Sequence, residues 1–446
     1  MDPMTPPDES ARPPSGLLRR LDLRGVQGPV ASLLPAPEIA DDRAAADTVR
    51  AILAEVRRDG DAGLRAATQR YDGVLLDDIR VPDAEIEAAL DAVPAELRQA
   101  LETAHVNIAD YHRTQVHPDT RYERDGVVIR ELRRPVDRAG CYVPGGRAPL
   151  ASTVLMTAVP ARVAGVASIA VCSPPAPDGH IAASVLAAAA IAGVDDVYRV
   201  GGAQAVAAMA YGTESVPAVD VIVGPGNRYV ALAERLVAGE GAVGVPSAFT
   251  GPSEVAVIAD ASTDPTYAAV DLVVQAEHGP DGLAYLITWS ESAAEAISAE
   301  VDRITAGSPR RAEIEATLAR GGYTVLVDGP EAAVAVANAV AAEHLEIMCD
   351  QPEALVPLIR SAGAVFLGPL APASAGDYAA GPNHVLPTAR SARFGSALRV
   401  DDFCKYIHVV DISPSGFDRL APAVEALAVA EGLAAHADSI RLRRSR

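Results

Sequence analysis

Four short segments gather the side chains that could do chemistry. In Val274-Gln275-Ala276-Glu277-His278-Gly279 a carboxamide and an imidazole stand three residues apart, which puts them on one face at the C-terminal end of a helix. An amide oxygen and an imidazole so placed can hold a borderline cation. The plain alternative is a helix end where His278 only meets the last carbonyls. In Ala342-Glu343-His344-Leu345-Glu346 a carboxylate and an imidazole are adjacent just before a short strand. That suits proton transfer, although surface Glu-His pairs are commonplace. Ser374-Ala375-Gly376-Asp377-Tyr378 and Gly381-Pro382-Asn383-His384 set an Asp and a His among small residues on a long loop, a composition that allows close approach to a ligand. Glu431-Gly432-Leu433-Ala434-Ala435-His436 closes the last helix, where a frayed end with a surface imidazole is the ordinary explanation. One Gln, two His and one Asp form a possible zinc set with room for a substrate to coordinate. No HExxH or other closely spaced ligand pair is present, so spacing alone says little about a metal. The remaining histidines suggest less: His105, His112, His117 and His180 read as solvated surface, and His408 as a core residue of a strand.

These segments need a scaffold, and the composition allows a large one. The chain has 446 residues, 49% hydrophobic and 22% charged, enough for about three compact units. Its 38 Lys and Arg against 59 Asp and Glu give a net charge of −21. Such a surface repels phosphate backbones and anionic lipid, which argues against nucleic acid and membranes as main partners. Cys141, Cys172, Cys349 and Cys404 lie far apart without a CxxC pair, so neither a disulfide framework nor a zinc ribbon is indicated. The Pro- and Asp-rich N-terminus lacks the order of a secretory leader. Ile181 to Val194 is too short and Ala-rich to span a bilayer. The expected setting is the cytoplasm.

Along the chain, residues 1–16 read as a disordered tail and 17–41 as an N-terminal arm. Arg43 to Arg58 and Glu96 to Arg113 have helical apolar spacing, with the turn Arg58-Asp59-Gly60-Asp61 after the first, and Val127 to Arg133 alternates as a half-buried strand. Short β-branched runs then alternate with Ala-rich helical stretches in two blocks. The first holds Val166 to Cys172, Val197 to Val200 and Val219 to Val223. The second holds Glu254 to Ile258, Leu283 to Thr288, Tyr323 to Val327 and Ala364 to Leu367. This pattern predicts an α/β fold with two Rossmann-like parallel-sheet domains, a helical N-terminal extension and a small C-terminal helical segment. The expected units are 42–145 with 255–397 as the larger domain, 146–254 as the second, and 398–446 as the C-terminal segment. Ligands are expected at the carboxyl ends of the strands and between the blocks.

Gly239-Glu240-Gly241-Ala242-Val243-Gly244 matches a dinucleotide motif but is entered from a helix and followed by Pro246, the reverse of the required strand–turn–helix order. Better candidates for cradling an anion are Tyr142-Val143-Pro144-Gly145-Gly146, Gly201-Gly202 and Gly224-Pro225-Gly226-Asn227. Singly, each is also an ordinary β-to-α turn.

Taken together with Gly251-Pro252-Ser253-Glu254, Glu343-His344-Leu345 and Val385-Leu386-Pro387-Thr388, these motifs resemble the histidinol dehydrogenase family from about Leu17 to His436. The resemblance implies two successive NAD-dependent oxidations, from L-histidinol through L-histidinal to L-histidine, the last steps of histidine biosynthesis. It assigns one zinc ion per subunit to Gln275, His278, Asp377 and His436, and proton transfer to Glu343 and His344. Substrate contacts fall on Ser253, His384 and Glu431 as well as on His344 and the metal ligands, and NAD contacts on Tyr142, Gln204 and Asn227. It further implies a homodimer in which Glu431 and His436 complete the site of the other subunit. Three rivals make distinct demands: a cysteine-dependent aldehyde dehydrogenase needs Cys141 or Cys172 as nucleophile, a zinc hydrolase needs no NAD, and a metal-binding scaffold has no use for Glu343 and His344. Within the same chemistry, the alternative substrate is another amino alcohol or aldehyde.

Overall fold

The computed structural model describes residues 16–35, 43–145, 149–246, 251, 253–277, 279 and 282–444. His278 and most of the expected N-terminal tail lie outside the described residues. Two parallel sheets organise the chain. The larger has six strands in the order Arg19–Asp22, Gly322–Leu326, Leu283–Thr288, Glu254–Ala259, His344–Ile347, Ala364–Leu367. Its central strand, EVAVIA, is buried along its whole length, as a parallel strand covered by helices on both faces must be. The smaller sheet runs Asp196–Tyr198, Ser168–Cys172, Arg138–Tyr142, Val221–Val223. From Arg138 onward that is the half-Rossmann order 3-2-1-4, with the direction of winding reversing between Arg138–Tyr142 and Val221–Val223.

The domain boundaries differ from those expected. Arg138–Tyr142 is hydrogen-bonded between Ser168–Cys172 and Val221–Val223, so it belongs to the smaller sheet. The helix Arg43–Asp72 packs on Gly202–Tyr211 and Arg228–Gly239, burying Val49, Ile52, Leu53 and Val56 against Ala205, Val206 and Met209. Asp83–Ala92 and Ala95–Arg113 cover the opposite face through Ala183–Ala192 and Ala151–Ala164. Residues 43–113 and 138–145 therefore build the smaller-sheet unit rather than the larger one. The physical cause is the apolar stripe of these helices, which finds its partner on the Ala-rich helices. By contrast the arm at Arg19–Asp22 adds an edge strand to the larger sheet, pairing with Tyr323 to Leu326. The first long helix breaks at Gly60, with φ 56°, at the turn read from the sequence.

The C-terminal segment also differs from an all-helical expectation. Cys404–Ile412 pairs antiparallel with Val127–Pro135, which pairs with Thr120–Arg124, before the helices Pro414–Ala430 and Ala434–Arg444 pack on each other. This unit exposes Tyr406, Ile407, Val410, Ile412, Leu420, Val424, Leu427, Val429 and Leu433, far more apolar surface than scattered positions would give. Among the described residues, no helix is long and apolar enough to cross a membrane. His112 is fully buried rather than solvated, its Nδ1–H donating to the Ile108 carbonyl at 2.8 Å. His408 is exposed rather than in the core and faces Glu131 at 3.2 Å.

Candidate active site

His344 opens its strand at the amino edge of the larger sheet, with Val255 and Ala364 as its neighbours. The helix Pro265–Ala276 runs back along the sheet, so its C-terminal residue pair Gln275-Ala276 arrives at that same edge. Hence the cluster sits at the amino ends of these strands, not at the carboxyl ends that the two-block pattern suggested. A helix C-terminus carries partial negative charge, which favours a cation at this edge.

Two side chains and a main-chain carbonyl converge on the His344 ring. Asp377 Oδ1 lies 3.2 Å from Nε2, while Gln275 Nε2 and the Glu254 carbonyl lie 3.1 and 3.2 Å from Nδ1. A carbonyl can only accept and an amide NH2 can only donate, so Nδ1 carries a proton toward Glu254 if the Gln275 amide presents Oε1, and accepts from the Gln275 NH2 if it does not. Burial alone would depress this imidazole, but the Asp377 hydrogen bond and the charges of Glu343 and Asp377 outweigh it and hold its pKa at about 9. Glu343 lies 3.6 Å from the ring, and its Oε2 accepts from the Glu254 N–H at 3.1 Å. Full burial pushes its carboxyl up to about 7, against the lowering influence of His344, the Glu254 N–H and the Ser253 side chain. A carboxyl poised there can exchange a proton near neutrality. His384 approaches from the loop: its Nδ1–H donates to the Asp377 carbonyl at 2.8 Å, leaving Nε2 to accept from Thr153 Oγ1 at 3.3 Å. Burial keeps this ring below the usual imidazole range.

The donor set fits a zinc ion in one telling respect. Gln275 is 1% exposed, and its Oε1 is buried with no hydrogen-bond partner among the described residues. Such an orphan costs ~1–3 kcal/mol unless something accepts its lone pairs. With the amide turned the other way, Oε1 would meet His344 Nδ1–H and the NH2 would be the orphan. Only the first arrangement leaves an oxygen facing the cluster, since an NH2 cannot hold a cation; in that arrangement Nδ1 accepts from the Gln275 NH2 rather than donating to Glu254. Oxygen from Gln275 and Asp377, both touching one imidazole, is hard-to-borderline chemistry suited to zinc. Among the described residues no three His, Cys, Asp or Glu are gathered as a ligand set. Two expected ligands account for that: His278 is outside the described residues, and His436 is exposed on the C-terminal helix pair together with Glu431. The structure thus brings Ser253, Gln275, Glu343, His344, Asp377 and His384 together, and within one chain it leaves Glu431 and His436 apart on the apolar C-terminal unit.

The three expected NAD contacts meet elsewhere. Tyr142, Gln204 and Asn227 line a cleft of about 670 Å³ at the carboxyl ends of the smaller sheet, beside the point where winding reverses, where the fold places ligands. Tyr142 OH accepts from the Gly202 N–H at 3.1 Å, and Gln204 Nε2 donates to Asp72 at 3.0 Å. Asn227 Oδ1 caps the helix Arg228–Gly239, accepting from the Tyr229 and Val230 N–H groups at 2.9 and 3.2 Å. Gly202 holds φ 62°, and an added Cβ would come 2.6 Å from Gln204 Oε1, so this turn needs glycine. Sequence reasoning missed Asp72, and it missed the buried carboxyls Glu254, Glu346 and Asp271. A Glu at the head of the apolar strand EVAVIA, and a Glu two residues beyond His344, were the available signals.

The comparisons with known proteins agree on one family. The model of the histidinol dehydrogenase family matches residues 37–444. A histidinol dehydrogenase from a Synechococcus strain is 49% identical over 399 residues, covering 89% of this chain and 91% of that protein. Another from Gluconobacter oxydans is 45% identical over 435 residues, covering 96% and 99%. The crystal structure of histidinol dehydrogenase from Elizabethkingia anophelis superposes with a TM-score of 0.90 at 35% identity, covering 97% of this chain and 99% of that one.

Proposed function

The chain belongs to the histidinol dehydrogenase family and oxidises L-histidinol; from that premise we propose that it does so with one zinc ion per subunit and two NAD in turn, releasing L-histidine. The observation that carries the zinc assignment is the buried, unpartnered end of the Gln275 amide beside His344 and Asp377. Gln275 and Asp377, with His278 and His436, would hold the ion. When bound it would supply a template that holds the amino alcohol in place.

His344, once neutral, would take the alcohol proton, and NAD, when bound, would supply the hydride acceptor. Asp377 steadies the imidazolium so formed. The Nδ1 contacts with the Gln275 amide and the Glu254 carbonyl keep the ring oriented. Glu343 would then take a proton from water as the water oxygen adds to L-histidinal and the His344 imidazolium returns its proton to the carbonyl oxygen; a second NAD, when bound, would supply the acceptor for the hydride of the hydrate. Ser253, His384 and Glu431 orient the substrate. The cleft at Tyr142, Gln204 and Asn227 binds NAD. Four unpaired cysteines support a reducing, cytoplasmic setting.

A homodimer in which the C-terminal unit crosses to the neighbour accounts for both of its features. Its strand and helices expose a broad apolar surface, and it carries Glu431 and His436, which find no place in the cluster of their own chain. The test is metal content with turnover. Purified protein should hold one zinc per subunit, lose L-histidinol oxidation on chelation and regain it with zinc, and Gln275→Ala should release the ion. A fully active protein without metal would refute the zinc assignment.

A further inference from the structure

Two buried carboxyls lie behind the cluster, outside the chemistry described so far. Glu346 follows His344 by two residues and so shares its face of the sheet; it is 1% exposed. Its Oε1 accepts from the Ala373 N–H at 3.0 Å. Ala373 is the first residue of the short helix Ala373–Tyr378, which carries Asp377, and the preceding Pro372 gives that helix no side-chain cap. Glu346 therefore does the capping from a distance. Asp271, 8% exposed, sits one turn before Gln275 on the helix Pro265–Ala276. Its carboxyl is hydrogen-bonded to that of Glu346. Two carboxyls in such contact cannot both be ionised, so a proton lies between them. That proton also gives a partner to Glu346 Oε2, which otherwise has none. Among the described residues no Arg or Lys pairs with either carboxyl.

We propose that Glu346 and Asp271, joined by one proton, form a positioning pair that ties the helix bearing Gln275 to the helix bearing Asp377 across the strand of His344, and so sets the shape of the zinc site without touching substrate. The proposal rests on the reading of Gln275 and Asp377 as zinc ligands. Its logic is mechanical: each ligand comes from a different element, and this pair is the polar link that spans both. Outer partners of this kind typically contribute about 10–100-fold to metal affinity.

The test compares Glu346→Gln with Glu346→Ala in the zinc-loaded enzyme. Zinc release to a chromophoric chelator is followed, alongside KM and kcat for L-histidinol. The Gln amide still accepts from Ala373 and donates to an ionised Asp271, replacing the shared proton. It should hold zinc within about twofold of the parent, whereas Glu346→Ala should release it roughly 10–100-fold faster with a raised KM. If Glu346→Ala does not fold, Asp271→Ala and Asp271→Asn repeat the contrast from the other side. Unchanged zinc release in the Ala variants, with only a lower unfolding midpoint, would reduce the pair to a structural contact and overturn the proposal. A Gln variant as leaky as the Ala variant would refute the shared proton. A parent enzyme that holds no zinc would overturn the metal reading itself, and the brace with it.

Discussion

Replacing Glu343 by Gln separates the two oxidations and tests the burial argument at once. The carboxyl is held at about 7, against 4.5 in an open chain; that difference is worth about 3 kcal/mol between its protonation states. Because the folded pKa lies above the unfolded one, the group's contribution to stability is fully present below pH 4.5 and is lost as pH rises through 7. Gln is neutral throughout and can keep the acceptor bond to the Glu254 N–H. Relative to the parent, Glu343→Gln should therefore gain stability between pH 5 and pH 8.5, by up to about 3 kcal/mol in chemical denaturation. In catalysis the parent's oxidation of L-histidinal should climb with pH and level off above about 7. The Gln variant should lose about 10²–10⁴-fold of that step together with its pH limb, while L-histidinol oxidation falls far less. Stopped-flow measurement with each substrate supplied separately resolves the two. Equal loss of both steps would refute water activation by Glu343. A limb that survives in the Gln variant would assign the proton to Glu254, whose carboxyl burial raises to about 8.

Cys141→Ala should retain turnover, because burial pushes the Cys141 thiol up to about 12 and a buried thiol is a poor nucleophile; loss of aldehyde oxidation would revive the thiol route. Tyr142→Phe removes the acceptor of the Gly202 N–H, and steady-state kinetics should show KM for NAD rising about 5–10-fold with zinc content unchanged. Mixing Glu343→Gln, which lacks L-histidinal oxidation, with His436→Ala should restore roughly a quarter of parental L-histidinal oxidation if each site borrows His436 from its neighbour in a twofold dimer; no recovery after subunit exchange would place His436 in its own chain's site.

Much of this site was legible because its chemistry is local in sequence. Glu343 and His344 are adjacent, Gln275 ends a helix by its own periodicity, and the Gly and Ala around Asp377 mark a close approach. The strand–helix alternation likewise carried both sheets. Other features depend on packing that no local pattern records. The amino-edge location of the cluster follows from Pro265–Ala276 running back along the sheet. The allegiance of Arg43–Asp72 to the smaller sheet depends on which Ala-rich helix meets its apolar stripe. His112 reads as surface because its neighbours are polar, yet its ring points inward and donates to Ile108. The strand around His408 was legible but its pairing was not, because its partner strand lies some 270 residues earlier. Glu346 and Asp271 look like ordinary charges until the fold buries them together.

The most direct test of the central claim is a product count. Zinc-loaded enzyme is incubated with limiting L-histidinol and excess NAD, and NADH is measured against L-histidine formed. The account predicts two NADH for each L-histidine, with no free aldehyde accumulating. A ratio of one with L-histidinal released, or conversion of L-histidinol that proceeds without NAD, would contradict it.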